Sequence, residues 1–302
     1  MTLSNFTLDF NKPENYEMNL KKVMVTFVIG MSFAGSTHAI AILSNNTAPG
    51  DSFTNAGTSG QGQAVGTSGW YYNNVRNSGI AGISTTYPRN GNGSAYLETQ
   101  IGPGGASSKA DIEYLANGTL FQNNYYAGGS LGLFSTLGSF SYDWFRDSSS
   151  TNSAAQHPAL RVLLDADGDL TTVADRGGLV FERAYNGGGV STNTWVNDLV
   201  SATGVNIWNF GLGLDFAYGG FGQDLSDWKT ILPDAAILGF SAGVGSGWGP
   251  FKGAVDNVSW TIGTTTTTSN FEVMAGTVPA PATLALFGLG LAGLGWSRRK
   301  KV

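Results

Sequence analysis

Apolar and polar residues alternate with a period of two through much of the chain from Ser94 onward. Phe140, Tyr142 and Trp144 alternate with Ser141 and Asp143. Leu160, Val162 and Leu164 alternate with Arg161 and Leu163, and Val258, Trp260 and Ile262 with Asn257, Ser259 and Thr261. Successive side chains of a strand point to opposite faces, so these runs predict strands buried on one side. Asn117-Gly118, Asp167-Gly168 and Asn186-Gly187 fall between such runs and supply turn residues. Strand after strand at this spacing predicts an all-β protein, an antiparallel β-sandwich of jelly-roll type. Trp144, Trp195 and Trp260 are expected in its core. One short helix is predicted at Leu225 to Leu232, capped by Ser226 and ended by Pro233.

The same pattern divides the chain. Residues 94–263 carry the alternation and are expected to form the sandwich domain. Residues 40–93 are dense in Gly, Ser and Asn and poor in branched aliphatics. They read as a lead-in or as a decorated start of the domain, and Trp70-Tyr71-Tyr72 predicts that part of the stretch packs. Residues 264–277 open with five threonines and read as a low-complexity linker.

Both ends are apolar segments flanked by cations. Met18 to Ala39 places Lys21 and Lys22 before an apolar run, Val23 to Ala34, and ends in Thr37-His38-Ala39. That is the layout of a secretory signal helix at residues 18–39, cleaved after Ala39. It implies Sec-type export machinery and a signal peptidase as partners. Residues 1–17 fit neither a signal head nor a strand and are expected to be a mis-annotated extension, with Met18 the true start. At the other end, Pro279 and Pro281 enforce an extended entry, Ala282 to Trp296 is uncharged, and Arg298, Arg299, Lys300 and Lys301 follow. This predicts a short C-terminal transmembrane helix with its cations in the cytoplasm. Lysines held inside at the front give the same topology, which leaves the body outside. An apolar core of roughly 15 residues broken by glycines is thin for a permanent anchor, since a span needs about 20.

The last 25 residues closely resemble the PEP-CTERM sorting signal of Gram-negative bacteria. Val278, Pro279 and Pro281 match its opening, and the Arg298-Arg299-Lys300-Lys301 cluster matches its end; Ala280 stands where the namesake motif has Glu. The resemblance implies an exosortase partner, a transient stay in the inner membrane, and delivery to the cell surface or extracellular polysaccharide matrix. A second resemblance lies in Ala235 to Ile262, which looks like the closing hairpin of exported jelly-roll domains. Those are similar to lectin-like and carbohydrate-binding sandwiches.

Composition narrows the function classes. The chain has 302 residues, 44 glycines, no cysteine and only 12% charged residues. Disulfides and thiolate metal sites are excluded. Of 16 basic and 21 acidic residues, seven bases and three acids lie in the two ends, leaving nine bases against eighteen acids in the body. A body near −9 argues against nucleic acid and anionic membrane as partners.

Catalytic signals are weak. His157 is the body's one histidine. Gly128-Gly-Ser130-Leu-Gly132 matches the hydrolase nucleophile elbow, but a chain with this much glycine is expected to show such a match by chance. Carboxylate pairs such as Asp111 with Glu113, or Asp143 with Asp147, could serve glycoside hydrolysis only if they shared a cleft. The body is therefore expected to be no enzyme. Asp165-Ala-Asp167-Gly168-Asp169 puts three carboxylates on alternate residues. It reads either as an Asp-Gly turn or as a structural calcium site, the single cofactor the chain suggests, with Asp256 a further ligand if the fold brings it near. Trp248, in a glycine-flanked loop, and then Tyr125 and Tyr126 are the candidates for stacking on a sugar. The favoured reading is a non-catalytic structural or adhesive surface protein. A carbohydrate-binding module acting on exopolysaccharide is the competing one, and a secreted glycoside hydrolase the third.

Overall fold

The computed structural model describes residues 39–100, 108–116, 129–187, 189, 191–214, 222–247, 249–276 and 291. The described strands are β1 (Ile40–Thr47), β2 (Phe53–Asn55), β3 (Gln61–Ala64), β4 (Trp70–Arg76), β5 (Gly79–Ser84), β6 (Ser94–Thr99), β7 (Lys109–Leu115), β8 (Leu137–Arg146), β9 (Ala159–Asp165), β10 (Arg176–Phe181), β11 (Trp195–Val200), β12 (Ile207–Phe210), β13 (Ala236–Val244), β14 (Phe251–Ile262) and β15 (Thr265–Met274). A helix, α1 (Leu225–Ile231), lies between β12 and β13.

The strands form two sheets, and the all-β sandwich expected from the alternation is what the chain builds. In the first sheet the order is β1-β15-β14-β6-β5-β2, with β8 on the other flank of β14 and β11 beyond it. The second runs β12-β10-β9-β13-β7-β4-β3. Apart from β1, which lies parallel to β15, the pairings are antiparallel. Aromatic rings fill the space between the sheets. Phe240 of the second sheet stacks on Trp260 of the first at 4.5 Å, Trp70 meets Phe271 edge-on at 4.9 Å, and the Trp70 indole donates to Ser269 Oγ at 3.1 Å. Each such ring removes roughly 150–250 Å² from water, and the buried indole finds its acceptor in the opposite sheet.

Several boundaries differ from the sequence expectation. The polar stretch 40–93 supplies β1 to β5, on both sheets. Its apolar residues are few, but Ile42, Val65, Trp70, Tyr72, Val75 and Ile83 all enter the core. The threonine-rich segment 264–277 is mostly β15, whose Phe271 and Val273 face inward while its threonines pair with β14. Threonine is β-branched, and on a half-buried sheet it is a strand former. Trp144 and Trp260 lie in the core as expected, but Trp195 does not. It is half-buried at the start of β11, beside Phe145 at 5.6 Å and under the Arg89 guanidinium.

α1 starts at Leu225 as predicted, but its cap lies two residues ahead of the expected one. Asp224, not Ser226, is the cap: its carboxylate accepts from the Ser226 and Asp227 N–H groups, and Asp227 returns a bond to the Asp224 N–H. Pro233 follows the last helical turn as expected. The Asp167-Gly168 pair sits inside a longer connection from Asp165 to Arg176, not in a two-residue hairpin. β9 is buried along its whole length on both faces. Leu160, Val162 and Leu164 join the main core, while Leu163 joins a second cluster with Leu115, Ala116 and Leu238 on the outer side of the sheet.

Candidate functional site

The outer face of the second sheet is apolar at one end and charged at the other. Leu163, Leu238 and Leu115 occupy one end. At the other, the register places Asp111 of β7 opposite Gly243 of β13, and Gly243 opposite Ala159 of β9. Gly243 has no side chain, and a Cβ there would lie 1.7 Å from Asp111 Oδ1. The missing atom lets the Asp111 carboxylate reach across β13. It accepts from Arg161 Nη1 at 3.1 Å, Lys109 Nζ at 2.8 Å and Asn74 Nδ2 at 3.2 Å. Arg161 also donates to Ser241 Oγ at 3.2 Å. Asp111 is fully buried, and the Lys109 and Arg161 side chains are only 8% and 7% exposed.

One carboxylate therefore serves two cations in a poorly hydrated place. Lys109 is held below its ordinary value by burial and then by the Arg161 charge, with Asp111 working against both. Glu113, two residues along β7, accepts from Asn73 Nδ2 at 2.5 Å and has its other oxygen buried without a partner. Burial, then the Asp111 charge, pushes its carboxyl up to about 7.

A cleft of about 520 Å³ opens over this end of the sheet. Arg76, Lys109, Arg161, Glu182, Tyr185 and Trp208 line it. Gln156, His157, Gly245 and Ser246 border it. Tyr185 is 46% exposed and Trp208 is half-buried, so two aromatic rings flank a row of hydrogen-bonding groups. Glu182 is shifted upward by burial, with Arg161 pulling it back. Arg76 donates to Asn74 Oδ1.

The sequence candidates are scattered by comparison. His157 borders the cleft but is 1% exposed, packs on the Trp144 ring at 4.7 Å, and has Nδ1 within 3.0 Å of the Pro158 carbonyl. Burial lowers it to about 4, so it is neutral at pH 7. Ser130 donates to the Gly132 carbonyl at 3.0 Å, in an irregular segment ahead of the 3-10 turn Phe134–Thr136 and not at a strand-to-helix elbow. Asp111 and Glu113 share the buried cluster just described. Asp143 accepts from Arg89, Asn197 and Asn257, and Asp147 from the Tyr87 hydroxyl.

Of the proposed calcium ligands, Asp165 and Asp167 lie together, and Asp175 joins them within 4.8 Å. Asp169 is not in that group; its carboxylate accepts from Thr171 N and Oγ1. Asp165 is paired with Arg176 at 2.8 Å, Asp167 accepts from the Asp169 N–H, and Asp175 from the Asp167 N–H. Asp256 is separate: its Oδ1 takes the Phe271 and Asn257 N–H groups, and burial pushes it up to about 7. Trp248, Tyr125, Tyr126 and the sorting residues Val278, Pro279, Pro281, Arg298, Arg299, Lys300 and Lys301 lie outside the described residues. Ala39 is described, exposed and immediately ahead of β1. No described helix is long and apolar enough to cross a membrane.

The structure thus defines a two-sheet β-sandwich with a polar, aromatic-flanked cleft on one outer face. Residues 277–300 match the family described as the PEP-CTERM protein-sorting motif, so the chain carries the signal of an exported protein sorted to the cell surface through an exosortase. No curated protein matches the chain. Two solved structures are similar in part. One is a family 11 carbohydrate-binding module from Clostridium thermocellum in complex with a β-1,3-1,4-mixed-linked tetrasaccharide. It is 10% identical, with 71% of this chain and 98% of that one covered, at a TM-score of 0.35. The other is the Caldicellulosiruptor saccharolyticus module CBM27-1 in complex with mannohexaose, 17% identical over 59% of this chain and 80% of that one, at 0.26. Likenesses this loose do not bear on what this chain binds.

Proposed function

We propose that the protein is an exported, exosortase-sorted component of the cell surface or extracellular matrix, with a non-catalytic sandwich that holds polysaccharide in the cleft of its second sheet. The sorting motif supports the destination. The observation that carries the binding role is the cleft's make-up. Tyr185 and Trp208 offer ring faces beside Arg76, Lys109, Arg161 and Asn74, the combination of stacking surface and directional donors that sugars require.

The same cleft argues against hydrolysis. Glycoside cleavage uses two carboxyl groups about 5–10 Å apart across the bond. Glu182 is the one acid among the described residues lining the cleft, and the nearby Asp111 is committed to Lys109 and Arg161.

A glycan array with the secreted protein and the variants Trp208→Ala, Tyr185→Ala and Trp248→Ala tests this. Stacking contributes about 1 kcal/mol beyond burial per ring, so each loss should weaken binding about fivefold or more. Retained binding in all three variants, or no binding by the parent to any polysaccharide, would leave only the structural, adhesive role.

A further inference from the structure

We propose that Asp165, Asp167 and Asp175 bind one calcium ion, which clamps the connection between β9 and β10. The site stands apart from the cleft and does not depend on what the cleft holds.

The alternating run of the sequence points to Asp165, Asp167 and Asp169, and the fold replaces the third. Between Asp165 and Arg176 the chain doubles back. The Asp167 N–H donates to Asp175 Oδ2 at 3.0 Å, and the Ala166 N–H to the Asp175 carbonyl at 3.3 Å. The end of the connection is thereby drawn onto its start. One carboxylate oxygen from each of Asp165, Asp167 and Asp175 then lies within 4.8 Å of the other two. Oxygens that each sit about 2.3–2.6 Å from a calcium ion are at most roughly 5 Å apart, so one ion can reach all three.

Acidic side chains gather on many surfaces without an ion, and Asp165 is what sets this group apart. It is 0% exposed. Its Oδ2 accepts from Arg176 Nε at 2.8 Å, but its Oδ1 is buried with no hydrogen-bond partner. A buried carboxylate oxygen left unmet is costly, and here its neighbours Asp167 and Asp175 are acceptors too. Burial pushes the Asp165 carboxyl upward, with Arg176 pulling it back and Asp175 adding to the rise. A donor side chain would satisfy one of these oxygens, whereas a cation satisfies all three together. Carboxylates without nitrogen or sulfur ligands select a hard cation. Asp167 is exposed and Asp175 half-buried, so water can complete the six to eight oxygens that calcium takes. Such a site belongs to the weak class that serves outside the cell, and the sorting motif sends the chain there.

Titration calorimetry of calcium chloride into the secreted protein, first stripped with EDTA, tests the site. One ion should bind per chain with a Kd of about 0.1–1 mM, and magnesium, which dehydrates reluctantly, about tenfold more weakly or worse. Calcium at about 10 mM should raise the melting temperature by about 3–10 °C over EDTA. Asp167→Asn and Asp175→Asn should each weaken calcium binding about tenfold or more, since affinity follows the ligand charge count. Asp169→Asn should leave it nearly unchanged, because the Asp169 carboxylate is turned to Thr171. Urea midpoints in EDTA establish that each variant is folded. An Asp169→Asn loss equal to that of Asp175→Asn would return the ion to the linear run and overturn the ligand set. Unaltered binding in both Asp167→Asn and Asp175→Asn would place the ion elsewhere and overturn it as well. No heat of binding and no shift of the melt would remove the site, leaving a proton or a water to meet Asp165 Oδ1.

Discussion

Replacing Asp111 with Ala isolates the energetic weight of the cleft floor. The substitution removes the one acceptor that Lys109 Nζ and Arg161 Nη1 share, at 2.8 and 3.1 Å, and leaves two cations that are 8% and 7% exposed. Breaking a buried pair by deleting one partner costs about 3–5 kcal/mol, because the remaining charge is uncompensated. Lys109 is already held low by burial and can shed its proton, which limits its share. Arg161 cannot do so and must stay charged. The expected loss is therefore about 3–5 kcal/mol, read as a lower urea midpoint at unchanged slope. For a body of roughly 240 residues this corresponds to a melting temperature about 6–20 °C lower. The triple variant Lys109→Met, Asp111→Leu, Arg161→Met takes all three charges away together and should be neutral or more stable than the parent. A cost below about 1 kcal/mol for Asp111→Ala would mean that water reaches this floor freely, and the reasoning about trapped charge would be wrong.

Two further outcomes follow from the same chemistry. Acidification from pH 7 to 5 should stabilise the fold. Asp256 and Glu113 have folded values of about 7 against ordinary values of 3.8 and 4.5, so the folded state binds more protons across that window and stability rises as pH falls. His157 opposes this, folded at about 4 against 6.5, but it is one group against two. Urea midpoints at pH 7 and 5 measure the balance; Asp256→Asn should flatten the difference, and a midpoint that drops toward pH 5 would contradict the assignment. Gly243→Ala should displace the Asp111 carboxylate by steric conflict and destabilise by about 2–4 kcal/mol, approaching the Asp111→Ala loss without changing any charge. An alanine variant as stable as the parent, by the same urea titration, would show that Asp111 has another path to Arg161.

The strands of the first sheet were legible where one face alone is buried. Val258, Trp260 and Ile262 on β14, and Phe140, Tyr142 and Trp144 on β8, alternate with small polar residues because their outer face is polar. That rule fails where both faces are covered. Leu163 on β9 broke the alternation, and it marks the second apolar cluster above the sheet. It fails again for residues 40–93 and for β15, where the strand formers are asparagine, serine and threonine and only every few residues an aromatic points inward. Local composition there says loop, while register against β14 and β7 makes strand. The helix was visible as a short periodic run, but its cap was misplaced by two residues because Asp224 and Ser226 are both good capping residues. Only the reciprocal bond from Asp227 decides between them.

The cleft was hidden for a stronger reason. Its charges come one each from separate elements: Arg76 ends β4, Lys109 opens β7, Arg161 sits in β9 and Glu182 follows β10. No window of sequence contains two of them in a recognisable spacing. Alone, Arg161 reads as the solvent-facing residue of an alternating strand, and Gly243 as one of many glycines. What joins them is a register in which a residue without a side chain stands between an acid and a base two strands apart. The sorting signal, by contrast, is contiguous because it is read as a linear segment, and its match covers residues 277–300 without any help from the fold. The address of this protein is therefore written in adjacent residues, and its chemistry is written in pairings between distant strands. A substitution such as Gly243→Ala, which alters no charge and no motif, should change the second while leaving the first intact.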